Sequence, residues 1–211
     1  MAFTVPLVEV VKLIIPCILH LENRVGEKIV TSILRHALDD FRGRKDDFIE
    51  KMNDVFKRKL FGSDVSPSQW KLPVTKEAKQ IKIDHVQVRN NVARCIVKNI
   101  DVIIEAARPP ERIDLQMELI GAISKYRSAM ELLTLHRELT EVECDQFQEL
   151  IDEFYEKWIN IFGDEGITNY FHMLGSGHIL YFVRKYGCLY LYSQQGWEAT
   201  WHVSGPRTGG A

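Results

Sequence analysis

Between residues 22 and 41 apolar side chains recur at the helical period. Val25, Ile29, Val30, Ile33, Leu34, Ala37, Leu38 and Phe41 share one stripe, with Glu22 and Glu27 toward the positive end of the helix dipole. The spacing predicts an amphipathic helix. Asp46 to Leu60 predicts a second, highly charged helix with a thin stripe of Phe48, Met52, Val55, Phe56 and Leu60, and Gly62 to Pro73 a loop. A long helix is predicted from Asp84 to Ala107, where Val88, Val92, Ile96, Ile100, Ile103, Ile104 and Ala107 keep helical spacing until Pro109-Pro110 ends it. Another runs from Glu111 to about Glu138 with Leu119, Ile123, Met130 and Leu133 inward. Thr140-Glu141-Val142-Glu143 then forms a capping box, in which hydroxyl and carboxylate satisfy each other's orphan amides. The helix it opens carries Phe147, Leu150, Ile151, Phe154, Tyr155, Trp158 and Phe162, and Gly163 closes it. Residues 166–198 predict two helices separated by a turn around Gly187, and residues 200–211 lack any period and are expected to be disordered. The expected fold class is all-α, a compact antiparallel helical array. Residues 1–199 form a single helical domain in this reading, followed by the tail.

A chain of 211 residues fits one domain, and one of that size buries roughly 70% of its unfolded-state surface. With 45% hydrophobic and 27% charged residues it lies far from the composition of disordered chains. A formal net charge of −2 gives no global pull toward nucleic acid, so any such partner must meet a local patch. Charge is segregated along the chain. From Arg42 to Lys59 the bases Arg42, Arg44, Lys45, Lys51, Lys57, Arg58 and Lys59 outnumber Asp46, Asp47, Glu50 and Asp54, and the stretch from Lys71 to Lys98 is also basic. Glu138 to Glu165 is rich in acids. Cys17, Cys95, Cys144 and Cys188 show neither a C-x-x-C pair nor a disulfide-scaffold spacing, and their apolar neighbours predict buried, reduced thiols. The apolar N-terminus is interrupted by Glu9, Lys12 and Pro16, without a basic region before it or a cleavage site after it. An intracellular protein, nuclear or cytoplasmic, neither secreted nor membrane-bound, is the expectation.

Among candidate chemistries, only His172 and His178 lie close together, and six residues of helix would put them on different faces without a third ligand nearby. No metal site is expected. Gly175-Ser176-Gly177 imitates a nucleophile elbow without the full motif or a preceding strand, and neither phosphate-loop pattern occurs. Tyr181, Phe182, Arg184, Lys185 and Tyr186 could stack unpaired bases, but a helix that buries one face needs such aromatics as core. Arg42 to Lys59 suits either phosphate contact or a solvated helix with i,i+4 pairs, the second being favoured.

Two segments are familiar together. Ile15-Pro16-Cys17-Ile18-Leu19-His20-Leu21-Glu22-Asn23-Arg24-Val25-Gly26-Glu27-Lys28 stands near the start. Asn169-Tyr170-Phe171-His172-Met173-Leu174-Gly175-Ser176-Gly177-His178-Ile179 and Ser193-Gln194-Gln195-Gly196-Trp197-Glu198 stand near the end. They resemble the later part of transposase-like proteins of animal genomes, whose ribonuclease-H-like catalytic domain is interrupted by a helical insertion. The resemblance covers most of the chain and implies that residues from about 30 to 165 correspond to the insertion and the aromatic-rich residues 166–199 to the last helices. Such enzymes cut DNA with two divalent metals held by three carboxylates. The resemblance implies that Glu198 matches the late-helix acid, while the first aspartate would lie upstream of Met1, and near Pro16 to Arg24 there is Glu22 but no aspartate. One carboxylate cannot hold two metals, so Glu198 is expected to be vestigial. The segment after it, Thr200-Trp201-His202-Val203-Ser204-Gly205, departs from the basic, aromatic continuation the family implies.

The resulting expectation is a transposase-derived fragment, not an enzyme by itself and without a cofactor. Mg²⁺ would enter only if missing sequence completed the site. Weak DNA contact would run through Arg42, Arg44, Lys45, Lys57, Arg58 and Lys59. The alternative is a helical module that binds another protein through the aromatic region from Tyr170 to Trp201.

Overall fold

The structure, a computed structural model, describes residues 17–60, 71–77, 80–87, 91–108 and 110–192. Most of these residues are helical, as the periodicity predicts, and one two-stranded antiparallel sheet joins them. Helix α1, Ile18–Asp40, is the hub. Its predicted stripe from Val25 to Leu38 is buried throughout, with Phe41 packed against the core edge. Helix α2, Lys45–Val55, buries Phe48, Ile49, Met52 and Val55, then loosens into a π-helical turn at Phe56–Leu60.

The strands are β1, Val74–Glu77, and β2, Gln80–Ile83, paired in register Val74↔Ile83. This hairpin lies in a stretch for which helical periodicity predicts nothing. The expected helix from Asp84 to Ala107 is corrected in two ways. Asp84 to Gln87 is not helical, and the Asp84 N–H donates to the Pro73 carbonyl at 2.9 Å, extending the hairpin. The helical remainder is broken at Asn99 into α3, Asn91–Lys98, and α4, Ile100–Ala107. The Asn99 N–H still donates to the Cys95 carbonyl at 3.1 Å, and Asn99 Nδ2 adds a second bond to the same oxygen at 2.8 Å, the local side-chain bonding that makes asparagine a weak helix former. Arg108, before Pro109, is extended, as the proline ring demands of its predecessor.

Helices α5, Ile113–Leu133, and α6, Glu141–Phe162, form the most extensive pairing in the fold. The capping box is present: Glu143 N–H donates to Thr140 Oγ1 at 3.2 Å and Thr140 N–H to Glu143 Oε2 at 2.9 Å. Arg137 adds two hydrogen bonds to the same carboxylate, at 2.8 and 2.6 Å. These bonds, Arg137 first and the Thr140 amide next, hold Glu143 down from an ordinary value of 4.5 to about 2. A carboxylate depressed in this way stabilises the fold above its unfolded value and loses that contribution as pH falls from about 4.5 toward 2. Thr140→Ala is therefore expected to cost about 1 kcal/mol in urea unfolding at pH 7. Glu143→Gln is expected to flatten the loss of stability between pH 4.5 and 2, and an unchanged pH profile would contradict the coupling.

After α6, Gly163 at φ 63° reverses the chain, a conformation glycine adopts without a Cβ clash. Helices α7, Asn169–Gly175, and α8, His178–Tyr186, follow. Their break falls at Ser176–Gly177 rather than at Gly187, which instead terminates α8. Helix α7 packs on both α1 and α6. The 200–211 tail lies outside the described residues. Cys144 and Cys188 are buried as expected, whereas Cys17 and Cys95 are half-buried, and all four are free thiols. Among the described residues no helix is long and apolar enough to cross a membrane.

Candidate functional site

The basic residues singled out by sequence cluster around α2, and acids meet many of them. Arg44 holds Asp47 through Nη2–Oδ1 at 2.6 Å and Nε–Oδ2 at 3.0 Å, and its hydrogen bonds lower the Asp47 carboxyl. Lys45 lies 3.7 Å from Asp39 and Arg58 2.6 Å from Asp54. Arg42 is exposed in the α1–α2 connection, Lys57 is half-buried, and Lys59 belongs to the π-helical turn. The hairpin adds what sequence could not place. The Leu72 N–H donates to Asn53 Oδ1 at 2.8 Å, and Lys76 Nζ donates to Asp46 Oδ1 at 2.6 Å. The chain from Leu72 to Lys76 therefore runs antiparallel alongside α2. The two basic stretches, separate in sequence, meet on one surface. With Asp46, Asp47 and Asp54 matched by bases, Arg42, Lys51 and Lys71 are exposed cations there against one further exposed acid of α2, Glu50.

The aromatic C-terminal region divides. Phe182 is core as expected, and Phe171 is core as well, whereas Tyr181, expected to be core, is exposed together with Leu191 and Tyr192. Arg184 bonds Asp145 on α6 at 2.9 Å, and Lys185 Nζ stands 5.6 and 5.0 Å from the ring centres of Tyr181 and Tyr186. These bases are the wet side of α8. Glu198 lies outside the described residues. His172 and His178 are corrected: they sit on separate helices, and the break at Ser176–Gly177 brings their rings edge to face at 5.9 Å. Among the described residues no three His, Cys, Asp or Glu side chains gather as a metal ion requires.

A groove of about 490 Å³ opens between α1, α3 and α5. Glu22 of α1 and Arg94 of α3 form its polar wall, with Arg94 Nε donating to Glu22 Oε2 at 2.8 Å. Sequence placed Glu22 at the helix dipole; the structure places it facing inward, 9% exposed. Burial raises its carboxyl above the ordinary value, against the lowering effect of Arg94. Tyr126 of α5, beneath, is raised well above the ordinary phenol range, by burial first and by the Glu22 charge second. Lys98, Arg127, Ser124, Ser128 and Thr134 line the mouth with Glu131, and Arg127 Nη1 donates to the Lys98 carbonyl at 2.9 Å. Sequence reasoning passed over this groove. Its available signal was Glu22 itself, a charge three residues before Val25 within an otherwise apolar stripe.

A buried cation, Arg108, ends α4. The Arg108 side chain is 0% exposed, with Nη1 3.3 Å from Asp40 Oδ2 and Nη2 2.9 Å from His36 Nδ1. Burial, and then the nearby Arg108 charge, lower the His36 imidazole, so its neutral form accepts that hydrogen bond. This cluster ties α4 to α1 and leaves the surface to α2 and the groove.

No family model, curated protein or solved structure matches the chain.

Proposed function

We propose that this chain is a transposase-derived helical module that contacts DNA weakly through the α2–hairpin surface and does not cut it alone. The observation that carries this reading is the joining of two basic stretches along α2 by the Asn53 and Lys76 hydrogen bonds. Phosphate contact needs positive charge spread over a surface several side chains wide, and neither stretch supplies that by itself. The ion pairs with Asp46, Asp47 and Asp54 limit the number of phosphates the surface can neutralise, which keeps affinity low.

Titrating a labelled duplex with the full chain at rising salt is expected to give a log-log affinity slope of about −0.9 per phosphate neutralised. No binding at low salt would remove the DNA role. Incubation with Mg²⁺ or Mn²⁺ is expected to leave the duplex intact, whereas strand cleavage abolished by Glu198→Gln would show an active nuclease.

A second reading, a module that binds another protein through its aromatic C-terminal region, is favoured by the exposure of Leu191, Tyr181 and Tyr192 at 59%, 42% and 46%. Substituting these three by serine while retaining full DNA affinity and losing a captured protein partner would favour it over DNA contact.

A further inference from the structure

We propose that the groove between α1, α3 and α5 is a binding site for a phosphate monoester carried on a compact apolar or aromatic body. Its volume of about 490 Å³ falls in the range of small-molecule clefts. The polar groups are distributed by helix geometry. On α5, Ser124, Arg127, Ser128 and Glu131 follow the i, i+3, i+4, i+7 pattern and so share one face, while α3 offers Arg94 and Lys98 four residues apart on its own. Val97, Tyr126 and Met130 lie among them as the apolar floor.

The charge balance at the mouth decides the ligand's sign. Arg94 is engaged by Glu22, so that pair contributes a wall but little net charge. Lys98 and Arg127 face the single remaining acid, Glu131, leaving an excess positive charge. A guanidinium has five N–H donors, and the one spent on the Lys98 carbonyl fixes Arg127 while leaving others for an anion. Together with the hydroxyls of Ser124 and Ser128, these donors outnumber what a carboxylate accepts and match the three oxygens of a phosphate monoester, while the Thr134 hydroxyl is spent on the Glu131 carbonyl at 3.0 Å. Glu22 and Tyr126, both raised by burial first, place desolvated titratable groups in the wall and floor of the same cleft.

This site uses other helices than the α2 surface, so the two fail independently. Isothermal titration of the full chain with phenyl phosphate, with phenol, and with a 5′-phosphorylated and a 5′-hydroxyl trinucleotide tests it. Saturable binding of phenyl phosphate or of the 5′-phosphorylated trinucleotide, but not of phenol or the 5′-hydroxyl trinucleotide, is expected. The tighter of the two binders tells a free phosphorylated metabolite from a nucleic-acid end. Lys98→Gln and Arg127→Gln should each weaken phenyl phosphate binding about tenfold, while Val142→Ser, at an exposed position on α6 outside both surfaces, should leave it unchanged. Lys98 is exposed, so its variant remains informative if Arg127→Gln does not fold. Absence of saturable binding by both phosphorylated probes, or binding that Lys98→Gln leaves untouched, would overturn the proposal.

Discussion

Trp158→Ala is expected to lower the unfolding free energy by about 3–5 kcal/mol, a large fraction of a domain's total stability. Trp158 is fully buried on α6, its ring centre 4.2 Å from that of Phe162, 5.3 Å from Phe171 and 5.7 Å from Phe154. Two penalties combine. Truncation opens a cavity where three aromatic rings converge, and rigid rings from α6 and α7 cannot collapse to fill it. It also removes the indole N–H that donates to the Gly166 carbonyl at 3.2 Å, which ties the turn after α6 to the helix. Trp158→Phe keeps most of the volume but not the donor, so its smaller loss measures the second penalty. Urea unfolding followed by far-UV circular dichroism checks both; a loss under about 1 kcal/mol for the alanine variant would contradict the placement of Trp158 at the core.

Arg94→Ala carries the second large effect, about 2–3 kcal/mol, because it leaves the inward-facing Glu22 without its cation. The figure stays at the low end of the range for buried pairs because the Arg94 side chain is 37% exposed. The sign of the pH dependence follows from burial. Glu22 is already raised in the intact fold, and loss of Arg94 removes the influence that opposes the rise. A carboxyl raised on folding favours the fold in its protonated form, so the variant should recover stability below the ordinary value of 4.5 and lose it as pH rises through the folded value. Adding Glu22→Gln should rescue most of the loss at pH 7. Failure of that rescue would mean that Arg94 stabilises by packing its stem rather than by neutralising Glu22.

Where a single periodicity governs a long stretch, the fold was legible in sequence. The stripe from Val25 to Leu38 and that from Phe147 to Trp158 are the centre of the core, and the Thr140 box and Gly163 bracket α6 as their chemistry requires. Legibility failed where a local side chain competes with the pattern. Asn99 interrupts a helix whose apolar spacing runs on through it, its side-chain amide folded back on the Cys95 carbonyl beside its own N–H, a local preference that periodicity does not weigh. The hairpin escaped for a different reason: each strand is four residues long and the connection carries no Gly, Pro or Asn to punctuate it. Gly187 was a sound turn signal but the earlier Gly177, at φ 75°, took the interhelical break.

The candidate sites divide along the same line. The basic residues of α2 were visible as composition, but their joining to Lys71–Lys76 depends on the unrecognised hairpin. The groove depends on Glu22 and Arg94, and on residues of α5 far from both in sequence, so no local window contains it.

The α2–hairpin surface is tested most directly by the anisotropy of a labelled duplex at low salt, measured for the intact chain and for Arg42→Glu combined with Lys51→Glu. Both side chains are exposed, so the fold should be retained while the net positive charge of this surface falls by four. Affinity is expected to drop more than tenfold with a shallower salt slope. Unchanged affinity and slope in a variant with an intact circular dichroism spectrum would contradict DNA contact at this surface.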